Sequence, residues 1–128
     1  MKDIENRADI ELLLHQFYLK VFKDDVISHF FTEVVPLNLE EHIPVIADFW
    51  ESVLLDAKGY RKNVMKVHLN ISQKSKIEKQ HLDRWVKLFT ETVDELFQGH
   101  KATVAKQRAA SIATMMNIKI NYPNPLKG

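Results

Sequence analysis

The feature that most constrains this chain is how rarely its backbone is interrupted. Its 128 residues include only three glycines and four prolines. The prolines fall at Pro36, Pro44, Pro123 and Pro125, which leaves long stretches open to continuous helix and unsuited to short strands and tight turns. Within those stretches the apolar residues recur at spacings of three and four. Ile10, Leu13, Leu14, Phe17, Val21 and Phe22 trace one face of an amphipathic helix that Asp24-Asp25 closes, with Asn6 or Asp9 as its cap. Ile27, Phe30 and Phe31 form a short apolar turn before Pro36. A second helical face follows in Ile43, Ile46, Phe49, Trp50, Val53 and Leu54. Because proline lacks a backbone N–H, this helix is expected to begin near Pro44 rather than well before it.

Between Asp56 and Ser75 the periodicity lapses, and the segment reads mainly as loop with at most one short helix around Val64 to His68. Ser75 and Glu78 have the spacing of a capping box. Beyond them Ile77, Leu82, Trp85, Val86, Phe89, Val93, Leu96 and Phe97 sustain a long helix up to Gly99. A last helix is expected over residues 102–118 with Val104, Arg108, Ile112, Met115 and Met116 on its inner face, followed by a loose tail from 119 to 128. The fold class expected is all-α, with four principal helices in a single domain, since a chain of this length builds one substantial core.

Composition removes several classes of function. Eighteen basic and 17 acidic residues leave a formal net charge of +1, and their interspersion offers no basic stripe for nucleic acid. With no cysteine there is no disulfide, iron–sulfur ligation or thiol nucleophile, which suits a reducing compartment. The opening MKDIENRADIELLL places charges too densely for a signal peptide or membrane span. The expectation is a soluble cytoplasmic protein.

Three polar side chains share the inner faces of these helices. Tyr18 lies one turn from Leu14 and Val21, His42 heads the face continued by Ile46, Phe49 and Val53, and Trp85 sits within the long helix. Buried phenol and indole groups require hydrogen-bond partners, the indole as donor only. Taken singly, Tyr18 and Trp85 read as core packing. His68, like His15, His29, His81 and His100, reads as a surface residue. His68 also has no neighbouring histidine with which to share a zinc. A lone imidazole holds a metal where the remaining ligands come from a macrocycle, as in haem.

Taken in order, several segments carry a more specific pattern. They are Phe17-Tyr18 followed by Asp24-Asp25, then His29-Phe30-Phe31, then His42-Ile43-Pro44 with Asp48-Phe49-Trp50. Tyr60-Arg61 through Asn63, Met65 and His68 come next, and then His81-Leu82-Asp83-Arg84-Trp85. The set spans Asp9 to Met116 and resembles the third group of the truncated haemoglobins; the double-glycine turns of the first two groups are missing. Lys62 and Val64 depart from the glycine and proline common before the proximal histidine.

The resemblance implies a two-over-two helical sandwich enclosing haem b, with His68 as the proximal iron ligand. It implies a cofactor pocket of Phe31 on the haem face, Ile46 as an apolar wall, Phe49, Met65 and Trp85, with Met115 and Met116 filling gaps beside the ring. Arg61, and after it Lys62, would meet the propionates. Tyr18, His42 and Trp85 would surround the sixth iron position. Each donor they offer to a partly anionic diatomic ligand is worth ~0.5–1.5 kcal/mol, so two slow ligand loss by roughly ten- to a hundred-fold. That implies a poor oxygen carrier and a redox or sequestering globin, monomeric, handling oxygen, nitric oxide, carbon monoxide or peroxide and served by a separate reductase. Peroxidase-like or nitric oxide dioxygenase-like activity is the enzymatic version, with His42 as general acid-base. Two alternatives stand beside it: a globin with His42 as second iron ligand, for electron transfer or sensing, and a haem-free helical interaction module.

Overall fold

The computed structural model describes residues 1–30, 38–55 and 77–121, and among these every regular element is a helix. The described residues form four principal helices: α1 Arg7–Lys23, α2 Leu39–Leu54, α3 Lys79–Leu96 and α4 His100–Asn121. Helix α1 packs on both α2 and α3, and α4 packs on α3 and touches α2. The all-α architecture is as the sequence predicts.

Each helix start has a local chemical cause. Asn6, not Asp9, caps α1, its side-chain oxygen accepting the Asp9 N–H at 3.0 Å. Asp9 lies one turn inside, where its carboxylate accepts from the Lys2 ammonium and the Glu5 N–H. Asp24 ends α1 by turning its own N–H back to the Val21 carbonyl. Helix α2 starts at Leu39, five residues ahead of Pro44 and earlier than the sequence predicts. Asn38 supplies the cap through its side chain to Glu40 N–H and its carbonyl to His42 N–H. The ladder bond that Pro44 cannot donate is lost inside the helix.

At the start of α3 the reciprocal partner of Glu78 is His81, whose Nδ1 accepts the Glu78 N–H at 2.8 Å. Ser75 lies outside the described residues. His81 is therefore not the freely solvated histidine that the sequence suggests. Burial lowers its pKa, with the His29 charge adding to that and the Glu78 charge opposing it. The lowered value suits an imidazole whose Nδ1 must stay unprotonated to accept.

Helix α3 ends at Leu96, short of Gly99, and α4 begins at His100. Gly99 has φ +146°, and a Cβ there would come within 2.6–2.8 Å of the Asp3 side chain. Only glycine allows that approach. Through it the Asp3 carboxylate accepts the N–H groups of Lys101 and Ala102, both at 2.9 Å, in the first turn of α4. A residue nearly a hundred positions upstream thus acts as the helix cap.

The inner face of α4 differs from the one expected. The buried residues are Ala102, Ala105, Ala109, Ala113 and Met116, whereas Arg108 and Met115 face outward. Alanine carries little hydropathy, so larger neighbours dominated the apolar pattern, yet small side chains are what let two helices approach closely. The helix also continues through residues 119–121, where the sequence predicts a loose tail.

The core centres on Phe89 of α3. Its ring stacks on Trp50 of α2 (centroids 5.0 Å, planes 17° apart) and lies nearly parallel to Trp85 (6.0 Å, 18°). Phe17 of α1 meets it edge-on at 5.3 Å. Offset-stacked and edge-to-face arrangements of this kind favour the ring quadrupoles as well as burying area.

Candidate functional site

Tyr18 lies on α1 on the same stripe as Leu14 and Val21, and the packing of α1 on α2 leaves its side chain 4% exposed. His42 is in the first turn of α2, its own N–H bonded to the Asn38 carbonyl. The two meet with Tyr18 Oη 2.7 Å from His42 Nε2 and their rings perpendicular at 5.0 Å. Burial raises the Tyr18 pKa far above its ordinary range, so the phenol keeps its proton at every physiological pH.

The imidazole tautomer decides what this pair offers. With the proton on Nδ1, the Tyr18 hydroxyl donates to Nε2. With the proton on Nε2, the imidazole donates to the phenol oxygen, and the hydroxyl retains its own proton for a third group.

Tyr18 borders a cavity of about 20 Å³ together with Leu14, Phe17, Ile46, Phe49, Trp50, Trp85, Phe89 and Ile112. That volume matches one water-sized molecule. The wall is almost wholly apolar, with the phenol and two indoles as its polar groups. Four of the sequence candidates, Tyr18, Ile46, Phe49 and Trp85, thus line one space, and His42 joins through its bond to Tyr18. Met115 is not brought there. It stands 48% exposed on the outer side of α4, and Ile112 takes the inward position. Phe31, Arg61, Met65 and His68 lie outside the described residues.

The lining by Leu14, Phe17, Trp50 and Phe89 was readable only as core, because periodicity shows that a residue turns inward and not which space it borders. Asp24 and Arg84 escaped the sequence reading as a pair. Asp24 Oδ1 accepts from Arg84 Nε and Nη2, both at 2.6 Å, while Oδ2 accepts the N–H groups of Val26 and Ile27. Sixty positions separate the partners, so no local signal links them.

The chain is 30% identical over 112 residues to the group 3 truncated hemoglobin ctb of Campylobacter jejuni, with 85% of this chain and 86% of that protein covered. This chain belongs to the group III truncated haemoglobins. Comparison of the folds agrees: the crystal structure of group III truncated hemoglobin from Campylobacter jejuni superposes with a TM-score of 0.81 at 26% identity, covering 97% of this chain and 98% of that one. No family model matches the sequence. All four helices contribute to the cavity wall: Tyr18 from α1, Ile46 from α2, Trp85 from α3 and Ile112 from α4. Among the described residues, no helix is long and apolar enough to cross a membrane.

Proposed function

We propose that this truncated globin binds haem b, with His68 as the proximal iron ligand and Tyr18, His42 and Trp85 on the opposite side, and that it retains small ligands rather than delivering them. The observation that carries the reading is the 2.7 Å bond between Tyr18 Oη and His42 Nε2 beside an apolar, water-sized cavity. Such a cavity suits a diatomic molecule or peroxide and is too small for a larger organic substrate. The residues present suit the ligand side of a haem site: the walls are apolar, and a phenol and two indoles are their polar groups. Haem supplies an iron with one coordination position open to oxygen, nitric oxide, carbon monoxide or peroxide.

The chain's own groups do the remaining work. Tyr18, protonated throughout, borders the cavity and can act as a donor when His42 donates to the phenol oxygen. His42, half-buried at the head of α2, can exchange a proton between that hydrogen bond and solvent, which is the requirement for a general acid-base in peroxide or nitric oxide chemistry. Ile46, Phe49 and Phe17 exclude water, so each donor acts in a low dielectric. The packing of His42 against Tyr18 favours this arrangement over one with His42 as an iron ligand. Small gaseous ligands, a separate reductase and a monomeric, cytoplasmic protein complete the reading.

Reconstitution with haemin tests it. The expected result is a Soret band that is lost in His68→Ala, and for Tyr18→Phe an oxygen dissociation rate about two- to twelve-fold higher, the equivalent of one hydrogen bond. A colourless protein that takes up no haemin would refute the cofactor, and an unchanged rate in Tyr18→Phe would remove the phenol from ligand retention.

A further inference from the structure

We infer that Asp24 and Arg84 are positioning residues for Trp85, forming a latch that fixes the indole relative to Tyr18 across the cavity. The latch is independent of the cofactor, and only its kinetic consequence rests on the haem reading above. Asp24 is an unusually rigid anchor. Its side chain is 2% exposed, one oxygen is held by the backbone of Val26 and Ile27, and its own N–H closes α1 on Val21. The other oxygen receives two donors from Arg84 at 2.6 Å each.

Arg84 immediately precedes Trp85 on α3. Successive helical residues project about 100° apart, so fixing the Arg84 side chain fixes the rotation of that turn and the direction of the next residue. Trp85 then meets Phe17 edge-on at 5.9 Å and lies nearly parallel to Phe89. Phe17 is the neighbour of Tyr18, and the two rings are 5.0 Å apart. The ion pair therefore joins the helix that carries Tyr18 to the helix that carries Trp85, from outside the aromatic core.

Stability alone does not account for such a pair, since an apolar pair of similar volume often serves as well or better. What an apolar pair lacks is directional bonding. A lysine at position 84 keeps the charge but loses the two-donor geometry.

The chain has two tryptophans, so Trp50→Phe labelled with 5-fluorotryptophan gives one fluorine resonance, that of Trp85. In this background Arg84→Met is expected to shift or split the resonance with and without haem, and Arg84→Lys to shift it less. In the haem-loaded protein the oxygen dissociation rate should change about two- to ten-fold in Arg84→Met, the size of one hydrogen bond gained or lost. The double variant Asp24→Asn/Arg84→Met, which removes the buried charge but keeps an acceptor for the Val26 and Ile27 N–H groups, should regain resistance to urea without regaining the parent resonance. An unmoved resonance in Arg84→Met, or its full return in the double variant, would overturn the inference. Should Arg84→Met fail to fold, Arg84→Lys decides: a moved resonance supports the latch and an unmoved one overturns it. A protein that takes up no haem would defeat the proposed function while the fluorine comparison still tests the latch.

Discussion

The two ends of α1 are tied to neighbouring helices by arginine–carboxylate pairs of equal length and unequal burial. At the amino end Arg7 Nη1 lies 2.6 Å from Asp48 Oδ1, with Glu51 and the Pro44 carbonyl also in reach, and the Asp48 side chain is 51% exposed. At the carboxyl end Arg84 reaches Asp24 at the same 2.6 Å, but the Asp24 side chain is 2% exposed. Distance alone would rank them as equals. Water around Asp48 screens its charge and replaces the arginine readily when it is removed, whereas Asp24 has no such substitute. The exposed pair is a tether of α2, and the buried one a constraint on α3.

The largest expected effect comes from breaking the buried pair. Arg84→Met should cost about 2–4 kcal/mol in urea unfolding, somewhat less than the ~3–5 kcal/mol of a fully buried pair because Arg84 is itself about a third open to water. A loss no greater than that of Arg7→Ala would erase the contrast between the two ends.

The Asp3 cap on α4 is intermediate in burial and sharpens the comparison. Asp3→Ala should cost ~1 kcal/mol, the usual worth of a helix cap. Burial favours the protonated acid, but the N–H groups of Lys101, Ala102 and Ile4 and the Lys101 charge outweigh it and hold the Asp3 pKa below its ordinary value. The sign follows. The cap contributes fully above the unfolded pKa of about 3.9 and is lost as pH falls through the lower folded value. Unfolding measured from about pH 6 downward should show this acid limb in the parent and a weaker one in Asp3→Asn, which keeps the acceptor without the titration. Identical acid limbs would remove Asp3 from the pH response.

The smallest effect belongs to the exposed pair. Arg7→Ala should cost ~0–1 kcal/mol and less still at high salt, because counterions screen an exposed charge pair. A cost independent of salt would mean that the bond to the Pro44 carbonyl, and not the ion pairs, holds α2.

Much of the fold was legible because helices are written locally. The faces of α1 and α3 followed from three-and-four spacing of large apolar residues, and Asn6 from its position just ahead of one. The inner face of α4 is not legible in the sequence because its buried stripe is alanine, whose burial contributes too little hydropathy to stand out from Met115 and Val104. The start of α2 is masked in the sequence by Pro44, whose missing N–H the Asn38 cap and the packing on α1 outweigh. The site was half legible. Tyr18, His42 and Trp85 were singled out by residue type, face and the order of motifs, but their mutual geometry was not, and the Asp24–Arg84 pair left no local trace.

The sequence by itself determined the helical class, the family pattern and which side chains turn inward, because periodicity, caps and motif order each operate within a few residues. Tertiary structure alone decided that Tyr18 bonds His42, that Phe89 gathers Trp50 and Trp85, and that Asp24 is answered by Arg84 rather than by water. An inward-facing residue has many possible partners along the chain. Only close packing of whole helices selects one, by excluding the solvent that would otherwise satisfy its polar atoms.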